Sequence, residues 1–206
     1  MNVKFLLSAL LIFLGCFPGR YSLCGSELEW SQWRGPTRDG WVKNGSPWPS
    51  GISGEKLDLA WTREIAKGYS GPVVSKNLVF TVETKGEYEI ARAFDRSSGR
   101  QKWETQWPGS MSVPFFAWKN GSWIRSTPLF DGENLYVCGM RDYLVCLDAA
   151  SGEEKWSVDF VKRYGSPLPT FGFVCSPMVL GDHLYVQAAT GLVKMNKRTG
   201  ESIWRI

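Results

Sequence analysis

The 206 residues hold 24 Lys and Arg against 20 Asp and Glu, for a formal charge of +4, and 43% are hydrophobic. A chain so close to neutral, with mixed signs and no basic run, is not built to grip nucleic acid. With His183 as its one histidine and no Cys-x-x-Cys pair, it excludes His–Cys zinc sites and any triad needing a histidine base elsewhere.

Residues 1–26 read as a signal peptide. Lys4 precedes an apolar run from Phe5 to Phe17, short for a membrane span and right for an export signal. Small residues at Cys24-Gly25-Ser26 offer a cleavage point. Leu14-Gly15-Cys16 offers a second outcome, acylation at Cys16, which would be the chain's one membrane attachment; Phe13 is a poor opening for such a box. Either route exports the chain to the periplasm or beyond. Removing Lys4 and Arg20 with this segment lowers the charge to +2. It leaves Cys138, Cys146 and Cys175, an odd set that excludes a complete disulfide framework. Cys138 and Cys146 fall on consecutive strands and could face each other, but two buried small hydrophobes is the preferred reading.

Residues 27–56 form an irregular arm rich in Trp, Gly, Pro and Ser, whose tryptophans are expected to pack across the body. A ligand site built from Trp33 and Arg34 is the minor alternative. Residues 57–65 then read as an orphan strand: Trp61 occupies the place that later tryptophans take in full repeats, with no strands before it. Such a strand closes a propeller ring by completing the last blade.

Three repeats follow, at about 66–106, 124–159 and 173–206. Each ends in an Asp or Asn, a Gly four residues on, and a Trp four beyond that: Asp95, Gly99 and Trp103; Asp148, Gly152 and Trp156; Asn196, Gly200 and Trp204. The tryptophans are 53 and 48 positions apart, a period that signals a repeat architecture. The Asp or Asn can bond the backbone of the turn it opens, and the Gly accepts a positive φ. The Trp buries a large ring against the neighbouring repeat and seeks a partner for its indole N–H. Short alternating runs at 78–82, 135–138 and 183–187, bounded by turn residues, complete about four strands per repeat. The fold class is therefore all-β, a β-propeller of four-stranded antiparallel blades. Three blades do not close a ring of roughly four to eight. The sequence thus reads as a piece of a seven- or eight-bladed chain, the remaining blades coming from the same longer polypeptide.

Two connections exceed what closure needs. Residues 107–123 hold Trp118 and Trp123 among five aromatics, and residues 160–172 hold Tyr164 and Phe171. In an up-and-down blade both emerge on the face of the second-to-third strand turns, where Arg125, Arg141 and Asp142 lie. These seven residues are the candidate ligand- or partner-binding set, since aromatic walls with a few charges are what binding clefts offer. The bland alternative is that the aromatics only cap the blades. No catalytic and no metal-binding residue is assigned.

The three Asp/Asn-x3-Gly-x3-Trp runs, with upstream markers Ser70-Gly71-Pro72, Ser126-Thr127-Pro128 and Ser176-Pro177, resemble the tryptophan-docking motif of the pyrroloquinoline quinone (PQQ)-type propeller repeat. The likeness covers about 57–206. Trp30-Ser31-Gln32-Trp33-Arg34-Gly35-Pro36, Lys67 to Pro72, and Tyr164 to Pro177 are similar to exported PQQ-like repeat proteins of planctomycete-type bacteria. The resemblance implies one of two branches. Quinoprotein dehydrogenases hold PQQ with calcium on a Glu, an Asn and an Asp, with a catalytic Asp and a vicinal cysteine pair. This chain has no adjacent cysteines and no stretch matching the calcium ligands. The other branch resembles the outer-membrane assembly lipoprotein of the β-barrel machinery, a cofactor-free protein-binding scaffold. The reading adopted is an exported, non-catalytic scaffold for an unknown protein or small ligand, with no cofactor. The alternative is a quinoprotein oxidoreductase whose PQQ and calcium ligands lie on further blades, and carbohydrate binding ranks third.

Overall fold

Each Asp/Asn-Gly-Trp run closes a four-stranded antiparallel meander. The computed structural model describes residues 29–42 and 59–206, so the signal-peptide and Cys16 lipid-anchor readings and the middle of the arm lie outside the described residues. The first blade is β1 (Val73–Val74), β2 (Leu78–Lys85), β3 (Tyr88–Asp95) and β4 (Gln101–Pro108). The second is β5 (Leu129–Phe130), β6 (Asn134–Gly139), β7 (Tyr143–Asp148) and β8 (Glu154–Asp159). The third is β9 (Met178–Leu180), β10 (His183–Ala188), β11 (Gly191–Asn196) and β12 (Ser202–Arg205). In all three sheets the strands pair in chain order. The expected all-β blade architecture is what the chain adopts.

The repeat motif is used the same way each time. The motif Gly donates its N–H back to the Asp or Asn carbonyl at 2.8, 2.8 and 2.9 Å, in a turn that holds the Gly at φ 67°, 78° and 70°. Only glycine takes that angle without strain. It also leaves room for the ring stacked on it: a Cβ on Gly152 would stand 2.6 Å from Trp103, and one on Gly200 2.6 Å from Trp156. Trp103 and Trp156 thus each dock on the Gly of the following blade, while Trp204 meets no such Gly among the described residues. A one-residue bulge precedes the Trp in every blade, between Ala93 and Phe94, Cys146 and Leu147, and Lys194 and Met195. Bulges re-aim a side chain locally, and the recurrence here aims three tryptophans alike.

Trp61 docks on Gly99 in the same manner, with its indole N–H donating to Arg96 O at 2.9 Å and Arg63 Nε donating to Gly99 O at 2.6 Å. Trp103 repeats this on the second blade through Ala149 O at 3.0 Å. Residues 59–66 nonetheless form no strand, and no described strand pairs with them.

Two apolar layers separate the blades. Phe80, Ala93 and Trp103 of the first meet Leu135, Val137 and Leu147 of the second. Tyr136, Cys138, Leu144 and Cys146 of the second meet Leu184, Val186 and Met195 of the third. Strand β6 is therefore buried on both faces, and its sequence, NLYVCG, lacks the alternation of a half-exposed strand. Cys138 and Cys146 are free thiols on one face, and burial pushes both up, Cys146 to about 12. They behave as small hydrophobes, as the preferred reading had it.

The described part of the arm runs across the first strand of every blade in turn. Trp30 exchanges two 2.8 Å backbone bonds with Val74, Phe130 N donates to Ser31 O at 2.8 Å, and Arg38 Nη1 donates to Pro177 O at 3.1 Å.

Candidate functional site

The two long connections meet over Met140, at the tip of the second blade's central hairpin. Val113 and Ala117 pack on one side of this fully buried side chain, and Gly172 lies against its sulfur on the other. Residues 115–120 (Phe115–Asn120) coil into a 3-10 helix, and Phe160–Tyr164 into one turn of α-helix capped by Asp159, whose side chain accepts Lys162 N–H at 2.9 Å. Arg125 laces the two connections together: its Nη2 donates to Gly121 O at 2.9 Å and its Nε to Phe171 O at 3.1 Å, with the guanidinium 5.1 Å over Tyr69.

Between this roof and the first blade lies an open cleft of about 1090 Å³. One wall is Ile65, Ala66 and Lys67, and another is the β2–β3 hairpin tip, Thr84 to Gly86. The roof contributes Ser110 to Ser112, Ser122 and Trp123, while Arg141 and Leu168 close the far end. The connecting backbone is fixed from below. Thr84 N donates to Lys67 O at 2.7 Å, Thr84 Oγ1 accepts Ile124 N–H at 2.8 Å, and Ala66 N–H is taken by the Glu83 carboxylate. Lys67 Nζ lies 5.0 Å over the Trp123 ring, a cation–π contact. On the same connection, Phe115, Phe116 and Trp118 are 85%, 69% and 67% exposed.

The seven residues expected to form a binding set thus divide. Trp123 and Arg141 line the cleft, and Trp118 and Phe171 stand on the roof, where the Phe171 ring meets Phe116 edge-on at 6.2 Å. Arg125 holds the roof in place. Asp142 is 4% exposed, and its Oδ2 accepts Ala189 N–H of the third blade at 2.7 Å, with burial pushing its carboxyl up from the ordinary value. Tyr164 lies away from the cleft, stacked on Phe160 at 6.2 Å, with its hydroxyl 2.6 Å from Ser202 Oγ on β12. These last two join blades instead of presenting themselves to a ligand.

Sequence reasoning passed over Glu89. Fully buried, it spans the blades as Asp142 does: Oε1 accepts Met140 N–H at 2.7 Å, and Oε2 accepts the Trp107 indole at 2.9 Å. Burial pushes its carboxyl up to about 7, against the pull of those two bonds. Gly109 and Gly139 make the space, since a Cβ on either would run into the carboxylate. Glu89 and Asp142 therefore form one device used twice, an acid near one hairpin tip capping the backbone of the next. The signal available was an acid beside the tip of successive central hairpins.

A calcium-bound quinone needs converging carboxylate and amide oxygens. The cleft is lined by none, and among the described residues no group of three or more His, Cys, Asp or Glu gathers to hold a cation. The described residues do not fit that group.

A curated relative, an uncharacterized protein of Rickettsia conorii, is 28% identical over 85 residues, which are 39% of this chain and 20% of that protein. Among solved structures, BamB from Moraxella catarrhalis is similar at 18% identity and a TM-score of 0.46, over 71% of this chain and 42% of that one. Quinohemoprotein alcohol dehydrogenase from Comamonas testosteroni shows 18% identity and a TM-score of 0.49, over 68% and 21%. The chain spans about a fifth of the curated relative's length. Residues 87–205, more than half of the chain, match the model of the family described as outer membrane protein assembly factor BamB, and the chain belongs to that family of PQQ-like repeat propellers.

Proposed function

We propose that this chain is an exported, cofactor-free propeller scaffold that binds a protein partner on the face carrying the two long connections. The observation behind this reading is the cleft of about 1090 Å³, roofed by the same connection on which Phe115, Phe116 and Trp118 are exposed. Contiguous exposed apolar surface marks interaction sites, and Trp is enriched among the residues that carry partner-binding energy. Membership of a family named for an assembly factor supports the same reading.

Trp118→Ala tests it. The side chain is 67% exposed, so the variant should melt with the wild type while losing a partner that wild-type protein captures from the native cell envelope. An unchanged set of captured proteins would sink the proposal.

A further inference from the structure

Lys67, Lys85 and Arg141 bring three positive charges to the cleft, and no acidic side chain lines it. Some cations of the described chain are paired: Arg92 bridges Glu83 and Glu104, Lys155 reaches Glu133 and Asp148, and Lys197 reaches Asp131. None of the three cleft cations makes an ion pair with a described residue; Lys67 has only the Trp123 ring. Glu64 and Glu87, neighbours in sequence, do not line the cleft. Three like charges with no acid among the lining residues give the concavity a positive field, which favours an anionic occupant.

We infer that the cleft binds an acidic, aromatic-bearing peptide segment of the partner. This inference rests on the scaffold reading and gives its ligand a chemistry. The cations come from three separate stretches: the connection into the first blade, the first hairpin tip and the second hairpin tip. Charges spread over different walls suit carboxylates spaced along an extended segment better than one compact anion. Ile65, Met111, Trp123 and Leu168 supply apolar patches between them. The lining also contains no Asp, Glu, Asn or Gln. Sugar hydroxyls are commonly recognised through such side chains, so a polysaccharide is the poorer match.

The test uses the full chain and three probes: a fluorescein-labelled peptide alternating Glu with Phe, its Lys/Phe counterpart, and oligogalacturonate. The Glu/Phe peptide should bind, perturb tryptophan emission less in Trp123→Phe than in the wild type, and weaken with added salt. Lys85→Glu and Arg141→Glu, both at exposed positions, should each weaken it roughly tenfold while melting like the wild type. The Lys/Phe peptide should not bind. Failure of the Glu/Phe peptide, equal binding of both peptides, indifference to both charge reversals, or tighter binding of oligogalacturonate would each overturn the inference. A partner lost in Trp118→Ala alongside a silent Glu/Phe peptide would overturn it and leave the scaffold reading standing.

Discussion

Glu89 gives the described chain a pH response whose sign is set by burial. Its carboxyl rises from 4.5 to about 7 in the fold, so between those values the folded chain keeps a proton that the unfolded chain has released. The stability tied to Glu89 is therefore full below about 4.5 and is lost as pH rises toward 7, by about 3 kcal/mol in all. Asp95 and Asp148 act in the opposite sense. Hydrogen bonds from Ser97 and Ser98 hold Asp95 well below the usual carboxylate range, and bonds from Ser151 and Lys155 lower Asp148, so their contribution is lost as pH falls. Glu89→Gln separates the two effects. The gap in unfolding free energy between wild type and this variant, from urea melts, should narrow as pH goes from about 5 to about 8. A constant gap would mean that Glu89 stays ionised throughout. Gly139→Ala puts a methyl group against the carboxylate and should cost about 1–3 kcal/mol in the same melts, with Gly71→Ala, whose added methyl meets Thr127 only at ordinary contact distance and whose φ is not positive, as the control for glycine loss itself.

At the scale of the element, the docked tryptophans are not equivalent. Trp103 donates to Ala149 O, whereas the buried Trp156 Nε1 has no hydrogen-bond partner among the described residues. The matching carbonyl on the third blade, Lys197 O, accepts the Tyr136 hydroxyl at 3.2 Å instead. Replacing either Trp by Ala empties a large site and should cost about 3–5 kcal/mol. The Phe variants should part company: Trp103→Phe loses a buried hydrogen bond and should be the worse by about 1 kcal/mol in chemical denaturation. Arg125→Ala should leave the blades paired but expose residues 107–123 and 160–172 to limited proteolysis, because the bonds that tie the two connections together are gone.

Across the whole molecule, the blades could be read from the sequence because their signals are local. Asp95, Gly99 and Trp103 stand within nine residues, and the physical demand on each recurs in the second and third copies. The site was half legible. Trp123 and Arg141 reach the cleft because the length of a connection and the position of a hairpin tip already assign them to one face. Asp142 and Glu89 were not legible, for they cap backbone amides 47 and 51 residues away, and an amide carries no residue signature. Tyr164 was misplaced because a single helical turn, invisible to periodicity, carries its ring back to β12.

The arm has a consequence for how the chain is assembled. It is fastened at Val74, then Phe130, then Pro177, and its last fastening joins residues 139 apart. A chain delivered from its N-terminus, by ribosome or translocon, presents these anchor points one at a time. Docking of the arm is then a stitching process in which each new blade receives the next stitch, and Arg38 must wait for the third. Until that moment the Arg38 end of the arm is unfastened, open to a protease or a chaperone.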